Sequence, residues 1–72
     1  MRGYVLKNKD KQLYLKSIDT ENEKIEFTKE VNEAKVYDGG EWFANTELEF
    51  LQFHFPQHED VLENMETIYE EF

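Results

Sequence analysis

Residues 58–72 read His58-Glu59-Asp60-Val61-Leu62-Glu63-Asn64-Met65-Glu66-Thr67-Ile68-Tyr69-Glu70-Glu71-Phe72, and the period assigned to this stretch decides the fold. Val61, Leu62, Met65, Ile68, Tyr69 and Phe72 recur at i, i+1, i+4, i+7, i+8 and i+11. At about 100° per residue these positions fill one arc of roughly 120°, as on an amphipathic helix. The spacing predicts a helix from about His58 to Glu71. A strand over Met65–Glu70 is the alternative, with poorer alternation of apolar and polar positions.

On such a helix Glu59, Glu63, Glu66 and Glu70 form a narrow stripe opposite the apolar arc, flanked by Asp60 and Glu71. Like charges at this spacing cost roughly 0.2–0.5 kcal/mol per pair, and no lysine on the stretch offsets them. At a rise of about 1.5 Å per residue the stripe carries roughly one charge per 3 Å. Phosphates along one strand of DNA are spaced by about 3.4 Å. The plain reading is a solvated face that keeps an acidic protein soluble. The sharper one is a partner-binding stripe that imitates nucleic acid.

Upstream, Thr46-Glu47-Leu48-Glu49 fits a capping box, and Pro56 ends the element. Leu48, Phe50, Leu51, Phe53 and Phe55 then cover most of a helix circumference, whereas a strand over 46–55 would need a bulge. A helix is the preferred reading. Tyr37, Trp42, Phe43, Phe50, Phe53 and Phe55 are crowded together, and a chain this small needs most of them inside. Trp42 and Phe43, following Gly39-Gly40, are the rings best placed to remain outside as an interface anchor. His54 and His58 are four apart, but Pro56 lies between them and the HExxH order is absent.

The N-terminal half reads differently. Residues 3–8 and 12–18 are two strands joined by the polar turn Asn8-Lys9-Asp10-Lys11, and Lys24–Thr28 is a third. Thr28 can cap a short helix from Lys29 to about Tyr37, with Val31, Ala34 and Tyr37 facing inward and Asp38-Gly39-Gly40 as its stop. The expected architecture is a single α+β domain over residues 1–72. A three-stranded antiparallel meander is packed by two or three helices, the last of them the acidic C-terminal helix.

Charge divides the chain along the same line. The net charge is −9, yet all eight basic residues lie within residues 1–35, where seven acids accompany them. Residues 36–72 hold ten acids and no lysine or arginine. Such a balance argues against direct binding of nucleic acid or of an anionic membrane, both of which demand basic side chains. With no cysteine there is no disulfide and no thiolate metal site. There is no glycine-rich phosphate loop and no nucleophile elbow, and Ser17, the only serine, lies in an expected strand. Neither a catalytic residue, a cofactor nor a metal site is expected. No targeting segment or membrane span is recognised, so a cytoplasmic protein is expected.

Gly3-Tyr4-Val5-Leu6-Lys7, Leu13-Tyr14-Leu15, Ile25-Glu26-Phe27-Thr28 and Glu33-Ala34-Lys35-Val36-Tyr37 form a recurrent layout. It resembles that of small uncharacterised phage and prophage proteins of Gram-positive bacteria. The resemblance covers about half the chain and rests on structural residues. It implies a mobile-element origin, a place in the host cytoplasm, and a role in binding and blocking a host protein. The sequence thus leads to an acidic module for a protein partner with a basic, nucleic-acid-binding surface. Glu59, Asp60, Glu63, Glu66, Glu70 and Glu71 would supply the field, and Trp42 the anchor. The alternative is an accessory protein that forms a homodimer through its surplus aromatics.

Overall fold

The C-terminal stretch is a strand. In the computed structural model, which describes residues 2–72, Met65–Glu71 (β4) runs antiparallel to Arg2–Asn8 (β1). Their pairing is continuous from Arg2 opposite Glu71 to Asn8 opposite Met65. Leu13–Asp19 (β2) and Lys24–Thr28 (β3) complete an antiparallel sheet of order β3-β2-β1-β4. The expected meander is therefore present, with a fourth strand where the acidic helix was expected. Of that helix only Glu59–Leu62 is helical.

Two physical terms favour the strand. A helix would stack Glu59, Glu63, Glu66 and Glu70 with no base among them. In the sheet, Glu66 lies opposite Lys7 and bridges Lys9 at 3.2 Å, and Glu71 lies opposite Arg2. These pairs are exposed and contribute at most about 1 kcal/mol each. Burial weighs more. Val5, Leu6 and Asn8 are fully buried on β1, and without β4 their strand would be an edge with open backbone groups.

Directly opposed residues share a face of the sheet. On one face Leu6, Leu15, Ile25 and Met65 are buried, joined by the partly buried Tyr4, Leu13, Ile18 and Phe27. A register shift between Leu15 and Ser17 in the β2–β3 ladder keeps Leu15 and Ile18 both on this face. A helix from Glu41 to His54 (α1) packs here through Ala44, Leu48 and Leu51, with Phe55, Val61 and Leu62 closing the core. The short Glu59–Leu62 helix (α2) carries the last two of these. On the opposite face Val5 and Tyr14 are covered by Ala34, with Val31, Val36 and Phe72 packed around them.

The covering segment is not the expected helix over 29–37. Thr28 Oγ1 does accept the Glu30 N–H at 3.1 Å, but only one 3-10 turn, Val31–Glu33, follows. The chain then becomes extended, and its backbone bonds to the sheet: Lys35 N–H donates to Leu15 O, and Tyr37 N–H to Tyr4 O. Val31 and Ala34 thereby reach one face of the sheet while Tyr37 enters the core on the other. Gly3 permits this close passage, since a Cβ there would meet Val36 Cγ1 at 2.5 Å.

The helix preferred for residues 46–55 is present but begins earlier, and Thr46 is not its cap. Gly40, at φ 97°, occupies the N-cap, a conformation that costs glycine little. Thr46 sits inside the helix, its hydroxyl donating to Trp42 O at 2.9 Å. The end at His54, one residue short of Phe55-Pro56, agrees with the sequence.

Asn8 joins the β1–β2 turn to the helical layer. Its Nδ2 donates to Val61 O at 2.8 Å, and its Oδ1 accepts the Lys11 N–H at 3.0 Å. Removing a buried partner leaves the other group desolvated and unbonded, at a cost of about 1–3 kcal/mol. Asn8→Ala is expected to lower unfolding stability by about that amount in urea titrations. A change within experimental error would show that water replaces the side chain.

Candidate functional site

A helix packed on a sheet turns one side to the core and the other to solvent, and on α1 both sides are apolar. Ala44, Leu48 and Leu51 face the sheet. Trp42, Phe50 and Phe53 lie on the far side, with Trp42 76% and Phe53 81% exposed. Phe43, about half exposed, sits on the flank towards Tyr37, with ring centroids 6.0 Å apart. His54 stacks beside Phe50 and Phe53, at 4.2 and 5.0 Å between ring centroids, and extends the row to the end of the helix. On the opposite flank α1 is fastened through polar contacts, Asn45 with Thr67 of β4 and Gln52 Nε2 to Leu62 O.

Beside this row runs a groove of about 520 Å³, walled by Ile18, Trp42, Phe43 and Phe50. Lys35 and Glu47 also line it. Glu47 Oε1 accepts both Lys35 Nζ at 3.0 Å and the Tyr37 hydroxyl at 2.7 Å. Burial pushes the Tyr37 phenol well above the usual tyrosine range, and the hydrogen bond to the Glu47 carboxylate pushes it further. This node ties α1 to the extended segment at Lys35 and Tyr37.

The acids singled out from sequence do not form one stripe. Glu59 and Asp60 occupy the first turn of α2, and Glu63 follows it. Glu66 and Glu70 share one face of β4, with Lys7 and Gly3 opposite them, and Glu71 lies on the other face. The match to phosphate spacing depended on a helical rise through all six and does not survive the change to a strand. Trp42 belongs to a different element, the first turn of α1 rather than a loop, and is exposed as the sequence allowed. Most of the six crowded rings were expected inside, and Phe50 and Phe53 are among those that lie outside. Their signal was present in the sequence, because a helix apolar around most of its circumference cannot bury every side against a single sheet.

Among the described residues no group of three or more His, Cys, Asp or Glu side chains could hold a metal ion. His58 turns towards Phe27 and Phe55 while His54 lies on the aromatic row, so the two histidines serve different surroundings. No helix among the described residues is long and apolar enough to cross a membrane. No family model, curated protein or solved structure matches the chain.

Two measurements check this geometry. Phe53→Ser should change unfolding stability by no more than about 0.5 kcal/mol, whereas Leu51→Ala on the core side should cost about 2–5 kcal/mol. Comparable losses for both would mean that Phe53 is packed. The second concerns Tyr37, whose proton is held more tightly in the folded chain than in the unfolded one. Its contribution is complete below about pH 10 and is lost as pH rises further, because the unfolded chain releases its proton first. Alkaline unfolding should therefore be shallower in Tyr37→Phe than in the parent chain, and superimposable curves would contradict the assignment.

Proposed function

We propose that this chain is a small protein-binding module whose contact surface is the outer face of α1. Its partner presents an apolar patch rimmed by lysine and arginine. The observation that carries the reading is the exposed row Trp42, Phe50 and Phe53 on a helix that is apolar on its core side too. A cluster of exposed rings on the outer side of a packed helix is the kind of apolar patch that marks a contact surface. Large aromatic rings are the side chains on which interface affinity concentrates.

Charge selects the partner. α1 carries Glu41, Glu47 and Glu49, within a half-chain, residues 36–72, that has no lysine or arginine. Complementary charge speeds encounter and rejects wrong partners more than it sets affinity. Glu59, Asp60 and Glu63 at α2 and Glu66, Glu70 and Glu71 on the edge strand β4 add to the same negative field. A host protein that uses its basic surface for nucleic acid would be blocked by such an occupant. That outcome accords with the mobile-element layout of the N-terminal half.

The same aromatic row supports the competing reading, self-association. Pairing two copies through α1 would bring together two chains of net charge −9 each, with Glu49 beside each row. Repulsion therefore disfavours the dimer. Sedimentation at low micromolar concentration should show a monomer, with Trp42 fluorescence openly quenched by acrylamide. A tight dimer that shields Trp42 would replace the basic partner by a second copy.

A further inference from the structure

We infer that the element received by the α1 face is a basic amphipathic helix of the partner, an inference that rests on the reading of α1 as the contact surface. Inside α1 the backbone groups are bonded within the helix, so its outer face offers side chains alone. A docking segment that loses water there finds no backbone donors or acceptors and must bring its own satisfied. Among regular elements only a helix does so unaided. An incoming strand would need an open sheet edge, and the edges here belong to β3 and β4 rather than to α1.

The dimensions agree. Trp42 and Phe53 are eleven positions apart, which spans about 16 Å, or three helical turns. The groove between α1 and the end of β2 runs along the flank of this row, with Ile18 forming its far wall. Its apolar lining can take bulky side chains spaced three and four apart on one face of a helix. Charge fixes the rest of the occupant. Glu49 is exposed beside the row and Glu41 near its start. Lys35, the cation that lines the groove, is already held by Glu47. The occupant's flanks therefore carry lysine or arginine and its central stripe carries bulky apolar residues.

The experiment uses the full chain and three synthetic peptides of about 14 residues, long enough for three to four turns. The first carries leucine at helical spacing with lysine elsewhere, the second replaces lysine by glutamate, and the third is the lysine peptide with a central proline. Trp42 emission and peptide helicity are followed at physiological salt. The lysine peptide should shift Trp42 emission to the blue and gain helicity. The glutamate peptide should do neither, and the proline peptide should bind about tenfold or more weakly, because proline breaks the helix. Phe50→Ser and Phe53→Ser leave the charge unchanged and should each weaken the lysine peptide about tenfold, as loss of an interface anchor does.

Equal binding of the proline peptide would overturn the helical occupant while leaving α1 as the surface. Equal response to lysine and glutamate peptides, or no response to any, would overturn the basic amphipathic class. Binding that ignores both phenylalanine substitutions would place the peptide elsewhere and remove the α1 reading itself.

Discussion

The pairing of β4 with β1 organises everything else in this molecule. β1 carries Val5, Leu6 and Asn8, all removed from water, and it can be so deeply buried only if both of its edges are paired and both of its faces covered. β2 takes one edge through Lys7 opposite Tyr14 and Asn8 opposite Leu13, and β4 takes the other along the whole strand. Once β1 is central, one face of the sheet must receive α1 and the other must receive the strap from Val31 to Val36. On the strap face an extended segment bonded to Leu15 and Tyr4, rather than a second helix, does that work. Among the described residues no element covers the outer face of α1, where Trp42 and Phe53 are exposed.

The N-terminal strands, their turns and the helical character of residues 46–55 were legible because local signals agree there. Strand-forming residues alternate, polar turns of hairpin length separate them, and Pro56 closes the helix. The C-terminal strand was not legible, because Val61 to Phe72 satisfies a helical period by combining two unrelated elements. Val61 and Leu62 face the core from the α2 turn, whereas Met65 faces it from β4. Ile68 lies opposite Val5 on the reverse side of the sheet. Six residues that seem to share one arc therefore sit on two layers. What decides between the readings is the unpaired edge of β1, sixty residues away in sequence, and no local window contains it. The strap shows the same effect in miniature: Thr28 makes its capping bond, and the tertiary bonds to Leu15 and Tyr4 then outweigh continued helix.

The candidate site was half legible for a related reason. Trp42 and Phe43 were singled out from the turn before them as the rings best placed outside, but the exposure of Phe50 and Phe53 was not located, because a small domain needs most of its aromatics buried. The structure fills its core with aliphatic residues, Leu6, Leu15, Leu48, Leu51 and Leu62, and few rings beyond Tyr37 and Phe55. The rings are divided between interior and surface: Tyr14, Tyr37 and Phe55 are buried, whereas Trp42, Phe43, Phe50, Phe53 and Tyr69 are exposed. The acids were read correctly as a concentration of charge in residues 36–72 and incorrectly as a helical stripe. Their distribution over α2 and both faces of β4 follows from the alternation of a strand, which sends successive side chains to opposite sides.

Charge and aromatic surface constrain one another in this arrangement. Exposed tryptophan and phenylalanine on a rigid helix invite contact between like copies, and an edge strand such as β4 invites backbone pairing. Glu66, Glu70 and Glu71 sit on that edge, and Glu41 and Glu49 sit on α1, so each hazard is met by carboxylates of one sign. Repulsion of this kind falls away against a surface of opposite charge, where the same carboxylates become attractive. A single design feature therefore serves two ends. Under the proposed function, acidity that would keep copies of the chain apart would also draw a basic partner to the α1 face. Solubility and recognition need not be rival explanations of the net charge, because the aromatic row makes each depend on the other.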